Sequence, residues 1–480
     1  MEQNQMRRGE KLIFAWGDFF GGGAQALISV LYLVFLTDVI GLEPAIAALA
    51  IMISKVWDAV SDPLMGIISD NTRTRFGRRR PYILGGGFLV IIAFALLWLP
   101  TGGLWSEMAR TVYALATYLL YSTVSTIVAV PYSSLSAELT TNIRERNTVN
   151  VIRLVFSTAA TAICTLVPSL ILEAFKAGSI DLSTFYLLIG VGFGIFFALP
   201  LILIGLFTRE RVRIPEVKSV FHLATFIKPL RVKAFRGLVY IYLCQSISMD
   251  ILGAGIVYYS LYVAKGSTTV FLGIFIGVQL LLFPLINHLV NVVDKRKIYY
   301  FGLPLALAAF TGVGIYPAGW PTIGAYILTG LTAIGFAGAQ LMSWIIFPDA
   351  VDAGELRLKE RATGSFSGIM TFIRKTASAI AIFIFGSMLT IAGYIKPSEA
   401  IPIPQQTPAA ILGIRIAMTG SFVILMLVGY FIARSYVLTN QRSLQVRRFL
   451  KLQDAEKLEQ ELAADADLAR EYRELEKAIY

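Results

Sequence analysis

Two carboxylates inside an apolar stretch, Asp58 and Asp62, are the side chains of this sequence best placed to do chemistry. Residues four positions apart share one face of a helix, so the two carboxylates are expected to be neighbours. A carboxylate inside a bilayer costs roughly 2.5 kcal/mol or more unless it faces a partner, a cation or water. The pair therefore predicts either a cation site or two structural ion pairs with arginines of other helices.

The ion that such a pair would bind stays open from the sequence. Sodium prefers several oxygen ligands, which two carboxylates and neighbouring hydroxyl groups can supply. Two close carboxylates do not both ionise easily when no sodium is present, so the same pair can also carry a proton. Asp58 and Asp62 thus predict a site for Na+ or H+ as the coupling ion, and no cofactor is indicated.

Further charges lie inside other apolar stretches. Lys375 needs an anion if it is buried, although a lysine can also extend its amine to the membrane interface. Asp250 is another intramembrane acid, and Gly253 and Gly255 beside it could let its helix bend. We expect Asp250 either to contact a solute or to pair with a base. Arg374 is expected to point about 100° away from Lys375 on their helix.

Membrane helices must position these side chains. The chain has 480 residues, of which 56% are hydrophobic, and this composition indicates a membrane protein with the lipid bilayer as its main partner. The net charge of +11 comes from basic residues between apolar runs, a distribution that follows membrane topology and argues against nucleic-acid binding. Both cysteines, Cys164 and Cys244, fall within apolar runs, so no disulfide is expected.

Twelve apolar stretches are long enough to cross a bilayer. Loops after the even-numbered stretches are rich in Lys and Arg, and loops after the odd-numbered ones carry few, which predicts that both termini are cytoplasmic. The predicted spans are approximately 12–40, 44–69, 82–101, 109–137, 149–174, 183–208, 237–264, 268–292, 298–317, 321–347, 363–394 and 408–436.

The longest internal loop divides the spans into six and six. We therefore predict an N-terminal bundle over 1–208, a cytoplasmic linker over 209–236, a C-terminal bundle over 237–437 and a cytoplasmic tail over 438–480. The tail has an apolar stripe at helical spacing, which predicts an amphipathic helix that packs on the bundle, pairs with another copy or binds the membrane surface, or else a solvated tail of partial helicity. Charged residues at span ends are expected to form ion pairs between helices on the cytoplasmic side: Asp38, Glu138, Arg144, Arg146, Asp349, Asp352 and Glu355.

Several segments, in order along the chain, resemble one family of membrane carriers. The sequence WDAVSDPLMGIISDNTRTRFGRRRPYIL, from Trp57 to Leu84, closely resembles the second span and following loop of the glycoside–pentoside–hexuronide cation symporters of the major facilitator superfamily. FAWGDFFGGG, which contains Asp18, is similar to the first span of that family. WIIFPDAVD and RATGSFSGIMTFIRKTASA resemble its tenth and eleventh spans.

The resemblance implies a fold and a set of site residues. The fold is all-α, with twelve transmembrane helices in two six-helix bundles and a cytoplasmic C-terminal helix. Ser61 and Thr126 would add hydroxyl ligands to the cation site at Asp58 and Asp62, and Lys375 would face that site as a counter-charge. Asp18 and Arg153 match charged positions that line the sugar site of the family. Trp344, Asp250 and Tyr132 are further candidate solute-binding residues from the sequence itself, and an internal ion pair or a packing role is the alternative for these side chains.

One departure affects the solute but not the cation. Sugar-carrying members often have an acid and a tryptophan in the fourth span, where this chain has Ala129 and Ser133. Two hydroxyl-binding groups are therefore missing, although Tyr121 and Tyr132 are close by in the sequence. A less polar site would also suit a non-sugar or amphipathic, lipid-like solute.

These features predict a secondary transporter that couples symport of a sugar or glycoside to Na+ or H+ by alternating access. A carrier of an amphipathic solute with the same cation site is the alternative, and a membrane sensor or scaffold with the C-terminal helix as its output is a third reading. We expect no enzymatic activity, because the sequence has no nucleophile–base spacing, metal cluster or phosphate-binding glycine loop. The glycine triplets 21–23 and 85–87 lie inside apolar spans and are better explained by close helix packing. The resemblance implies a monomer in a bacterial inner membrane.

Overall fold

The computed structural model describes most of the chain: residues 6–101, 106–136, 138–140, 143–211, 227–290, 292–317, 319–359, 363–397, 401, 403–454 and 457–479. Twelve helices in this part are long and apolar enough to cross a membrane, as the sequence predicted. They are α1 Arg8–Val39, α2 Pro44–Asn71, α3 Arg80–Leu97, α4 Glu107–Leu135, α5 Ile143–Lys176, α6 Leu182–Phe207, α7 Lys233–Ala264, α8 Thr268–Leu289, α9 Lys295–Ile315, α10 Ile323–Leu358, α11 Thr363–Ile391 and α12 Pro408–Ser435.

The chain forms two compact units. The first unit comprises Met1–Phe221, Gly253–Gly273 and Ala379–Ala417, and the second comprises His222–Leu252, Ile274–Ser378 and Met418–Tyr480. The first unit therefore also takes in one end of α7 and parts of α8, α11 and α12. The division into bundles at 209–236 stays a prediction, and the middle of that linker, 212–226, lies outside the described residues.

Close packing at glycines holds neighbouring helices together, as predicted for the glycine triplets. A Cβ atom at Gly86 of α3 would lie 2.4 Å from the Val128 side chain of α4. In the second unit, a Cβ atom at Gly335 of α10 would lie 2.4 Å from the backbone nitrogen of Ala306 in α9. Such contacts exclude any larger side chain, so these glycines set how near the helix axes can approach.

The tenth helix is longer than the sequence indicated. It continues about three turns past the predicted end near residue 347, so that Asp349 and Asp352 are helical. The apolar run ends near Pro348, but the helix persists because the buried Asp349 carboxylate is satisfied by Lys295 Nζ at 2.5 Å and Arg447 Nη2 at 2.9 Å. The last helical residue, Leu358, precedes Lys359, whose φ of 56° ends the helix.

The tail is three helices, where the sequence predicted one. These are α13 Asn440–Asp454, α14 Leu458–Ala464 and α15 Ala466–Ile479. Ser443 of α13 donates to Asp349 of α10 at 3.1 Å, so the tail packs against α10 within the second unit. The helix α15 turns back on α13, where the rings of Phe449 and Tyr472 lie edge to face at 5.0 Å.

Candidate cation and solute sites

Four oxygen-bearing side chains of α2 and α4 converge in the first unit. The Thr126 hydroxyl oxygen lies 2.8 Å from Asp58 Oδ1, 2.9 Å from Asp62 Oδ1 and 3.1 Å from the Ser61 hydroxyl. Thr126 and Ser61 are buried, and the two aspartates are half-buried. The structure thus brings together the candidate cation ligands of the first bundle.

The geometry leaves one carboxylate contact without a hydroxyl proton. A threonine hydroxyl carries a single hydrogen, so Thr126 can donate to Asp58 or to Asp62 but not to both at once. Within the described residues, no group of three or more His, Cys, Asp or Glu side chains could hold a metal ion. The four converging side chains are two carboxylates and two hydroxyl groups.

Lys375, the predicted counter-charge, belongs to α11 in the second unit. Its placement opposite Asp58 and Asp62 stays a prediction.

Asp18, which is buried, and Arg153, which is half-buried, form a second charge group that joins α1 to α5. Arg153 donates through Nε to Asp18 Oδ2 at 2.9 Å and through Nη2 to Asp18 Oδ1 at 3.1 Å. A bidentate pair of this kind fixes the guanidinium and the carboxylate in one plane. A π-helical segment of α1, Phe19–Ala24, begins directly after Asp18.

Tyr132 packs against the guanidinium of this pair. Its ring lies 4.8 Å from the Arg153 guanidinium carbon, and its hydroxyl donates to the Phe14 carbonyl at 2.9 Å. A Cβ atom at position 17 would lie 2.5 Å from the Tyr132 ring, so Gly17 makes room for it. The ring therefore positions Arg153 by cation–π contact, and the hydroxyl is already engaged.

The second unit contains a different acid–base pair. Arg374 Nη1 lies 3.4 Å from Asp250 Oδ2, in a single contact. The sequence placed Arg374 away from its neighbour Lys375 and missed this partner. An acid inside a membrane helix, such as Asp250 on α7, generally pairs with a base on another helix. The two adjacent bases of α11, Arg374 and Lys375, were the signal in the sequence that could have indicated this partner. Trp344 of α10 is 56% exposed and lies 5.4 Å from the Tyr242 ring, edge to face.

The departure in the fourth span is visible as a less polar surface. Ser133 is exposed, and its hydroxyl donates to the Val130 carbonyl of its own helix at 2.9 Å. Ala129 on the same helix has no polar group.

Ion pairs at the helix ends agree with the prediction for Glu138 but not for Asp38. Arg78 Nη2 lies 2.7 Å from Glu138 Oε1, and Arg79 contacts both Glu138 and Asp70. The hydrogen bonds to Glu138 raise the pKa of the Arg78 guanidinium. The side chains of Arg144 and Arg146 lie outside the described residues.

Asp38 lies at the opposite end of the first unit. The helix α1 begins near Glu10, whose partner Arg211 donates its backbone N–H to the Glu138 carbonyl at 2.8 Å, and Asp38 is at the other end of α1. There it pairs with Lys176 and accepts from Tyr394 at 2.9 Å. The prediction that Asp38 joins the Glu138 side is wrong, because α1 ends on the side where α5 also ends.

Several curated proteins are similar to this chain. An uncharacterized symporter of Synechocystis sp. (strain ATCC 27184 / PCC 6803 / Kazusa) is 27% identical over 92% of this chain and 96% of its own length. A glucuronide carrier protein homolog of Escherichia coli (strain K12) is 26% identical over 94% and 97%. The sodium-dependent lysophosphatidylcholine symporter 1-B of Danio rerio is 23% identical over 89% and 86%.

The fold also has solved counterparts. The crystal structure of a D-xylose–proton symporter matches with a TM-score of 0.61 at 14% identity, over 89% of this chain and 96% of that one. At this identity the likeness establishes the fold alone. The family model described as "MFS/sugar transport protein" matches residues 13–440. The chain therefore belongs to the MFS/sugar transport protein family, a family of integral membrane transporters.

Proposed function

We propose that this protein is a cation-coupled symporter of a sugar or glycoside that works by alternating access. The observation that carries the proposal is the convergence of Asp58, Asp62 and Ser61 on the Thr126 hydroxyl. Its chemistry suits a cation that arrives and leaves with each transport cycle. The names of the similar symporters and of the glucuronide carrier homolog support the solute class.

Coupling requires that cation occupancy change the affinity for the solute. This relation is reciprocal, so bound solute must change the affinity for the cation by the same factor. In the proposed scheme Asp58, Asp62, Ser61 and Thr126 hold Na+ or H+, and Lys375 competes with the cation for the carboxylates. When the solute binds, it shifts the competition between Lys375 and the cation for the two carboxylates.

The solute site includes the Asp18–Arg153 pair. A carboxylate accepts from two sugar hydroxyls, and a guanidinium donates in a fixed fork, so the pair can recognise a diol. Tyr132 holds the guanidinium in place, and Trp344 offers an exposed apolar face for the C–H side of a sugar ring.

The protein works as a monomer in a bacterial inner membrane, with both termini in the cytoplasm. The alternation of basic and non-basic loops along the sequence supports this orientation.

Uptake into liposomes tests the proposal. Purified protein is reconstituted, and accumulation of labelled aldoses, glycosides and uronates is measured with inward Na+ and H+ gradients imposed separately. We expect accumulation of at least one of these solutes under one gradient, abolished by an ionophore for that ion. Folded protein that accumulates none of them under either gradient would contradict the proposal.

A second candidate is an amphipathic, lipid-like solute with the same cation site. Two observations favour it: the apolar Ala129 with the self-bonded Ser133, and the similarity to a lysophosphatidylcholine symporter. Competition for the site between sugars and a lysophospholipid separates the two candidates. If none of the sugars tested displaces a bound lysophospholipid, the lipid-like solute is favoured.

A further inference from the structure

A polar cavity of about 370 Å³ lies where the tail meets α9, entirely within the second unit. Side chains of α9, α13 and α15 line it, and the exposed Gln441 and Glu474 open it to solvent. Its volume is within the range of small-molecule pockets, roughly 300–1,000 Å³. The charged and amide side chains of its lining are Arg296, Gln441, Arg442, Gln445, Glu471 and Glu474.

The two arginine side chains of this cavity make few hydrogen bonds. Arg296 of α9 donates through Nη1 to the Tyr436 carbonyl at 3.3 Å, and its Nε lies 3.5 Å from Asp294 Oδ2. Arg442 of α13 donates through Nη1 to the Val437 carbonyl at 2.8 Å and, within the described residues, has no carboxylate partner. A guanidinium carries five N–H donors, so both arginines retain donors for a ligand.

The two glutamates of α15 in this cavity already have partners. Glu471 accepts from Gln445 Nε2 at 2.7 Å and lies 3.5 Å from Arg448 Nη1. Glu474 accepts from Arg470 Nε at 3.2 Å. A carboxylate has about four acceptor sites, so both glutamates can still accept from hydroxyl groups of a ligand.

The charges around the cavity leave one guanidinium uncompensated. Each lining glutamate has an arginine partner outside the cavity, and Arg296 has Asp294, so these three pairs are neutral. Arg442 therefore contributes one positive charge that no carboxylate of the described residues offsets. Because charge-assisted hydrogen bonds to a guanidinium are strong, the cavity favours a ligand with an anionic group.

We propose that this cavity binds a small phosphate monoester that carries several hydroxyl groups, such as a sugar phosphate. The phosphate oxygens accept from Arg296 and Arg442, and the hydroxyl groups donate to Glu471 and Glu474. A phosphate monoester has three acceptor oxygens and a charge of roughly −1.5 to −2 at pH 7, which suits two guanidinium groups from different helices.

The proposed site goes beyond transport, since none of its residues belongs to the candidate cation or solute sites. Its ligand contacts α9, α13 and α15 at once, so bound ligand holds α15 on the rest of the second unit. With the tail on the cytoplasmic side, as proposed above, the ligand is a cytoplasmic metabolite and the site is regulatory.

Equilibrium binding to the purified full-length protein tests this site. The probes are glucose 6-phosphate and inorganic phosphate, with wild type, Arg442→Gln and the control Arg473→Gln, an exposed arginine of α15 outside the cavity lining. We expect glucose 6-phosphate to bind wild type about ten-fold more tightly than inorganic phosphate, because its hydroxyl groups add hydrogen bonds. Its affinity should fall about ten-fold in Arg442→Gln and stay unchanged in Arg473→Gln.

A further variant and a second measurement locate the ligand. Glu474→Gln should weaken binding of glucose 6-phosphate but not of inorganic phosphate, so the preference between the two probes narrows. Hydrogen exchange of the α15 amides in wild type should slow when glucose 6-phosphate is added, because the ligand ties α15 to α13.

Three results would overturn the site. These are no binding of glucose 6-phosphate to folded wild type, equally tight binding of inorganic phosphate, and unchanged binding of glucose 6-phosphate in a folded Arg442→Gln variant. The comparison of the two probes and the hydrogen exchange use wild type alone, so a variant that fails to fold does not weaken the test. Neither measurement involves transport, so failure of this site leaves the proposed function intact.

Discussion

Two carboxylate groups in the first unit are held in opposite ways. Asp18 is bound by both sides of the Arg153 guanidinium, a partner that stays charged and stays in the protein. Asp58 and Asp62 approach the same Thr126 hydroxyl, which has one proton to donate. A permanently charged partner suits a rigid recognition element, and we propose that the carboxylates around the shared hydroxyl bind an exchangeable cation.

The largest expected effect is the loss of solute accumulation when Asp58 or Asp62 is neutralised. Asp58→Asn and Asp62→Asn each remove a cation ligand, so gradient-driven accumulation should fall by roughly 100-fold, near the upper range of coupling between two sites. Exchange of labelled for unlabelled solute should continue, because the solute site is retained. Liposome uptake and counterflow measure the two activities.

The matched control for these variants is Asp467→Asn, an exposed acid of α15 that should transport normally. If Asp58→Asn and Asp62→Asn both accumulate solute as wild type does, the carboxylates have no coupling role.

The next largest effect is expected on stability, at the Asp18–Arg153 pair. Arg153→Gln leaves the Asp18 carboxylate buried without its cation, and we expect a loss of about 2 kcal/mol in stability because a charge-assisted double hydrogen bond is broken. Thermal unfolding in detergent checks it. The double variant Asp18→Asn/Arg153→Gln should recover part of the stability but should not recover solute binding. If Arg153→Gln is as stable as wild type, the ion pair with Asp18 does not contribute to stability.

A smaller effect is expected at the shared hydroxyl. Thr126→Val keeps the shape of the side chain but removes the oxygen between the two carboxylates, so cation affinity should fall about ten-fold. Thr126→Ser should retain most of it. Thr123→Val, one turn earlier on α4 and hydrogen-bonded to the exposed Trp57, is the control. Equal cation activation curves for Thr126→Val and Thr123→Val would exclude Thr126 as a ligand.

The smallest effect is expected for Ser61→Ala. The Ser61 hydroxyl lies 3.1 Å from Thr126 and 3.2 Å from the Asp58 carbonyl, so it has a backbone partner besides the site. We expect cation affinity to change by about two- to three-fold, which a titration of uptake against cation concentration resolves. A loss as large as that of Asp58→Asn would mean that Ser61 is a principal ligand.

Much of the cation site could be predicted from the sequence because its first two members are on one helix. The four-residue spacing of Asp58 and Asp62 fixes their common face without any knowledge of the fold. Thr126 came from the family resemblance, since the register of α4 against α2 depends on packing between helices. Contacts such as that of Gly86 with Val128, which set how helices approach, cannot be read from hydropathy.

Other features were not predicted, for similar reasons. The Arg374–Asp250 pair joins helices far apart in the sequence, and the expectation for Arg374 considered only its angle to Lys375. The continuation of α10 past Pro348 depends on Lys295 and Arg447, which reach Asp349 from other helices. The end of the unit at which Asp38 lies follows from the direction of α1, which the charge of the residue does not indicate.

The most direct test of coupling is the movement of the cation that solute drives. Protein is reconstituted into liposomes with no ion gradient, solute is added outside, and the entry of Na+ or H+ is followed with an electrode. We expect solute addition to drive cation entry in wild type and not in Asp58→Asn or Asp62→Asn. Solute entry with no accompanying movement of either ion in wild type would contradict it.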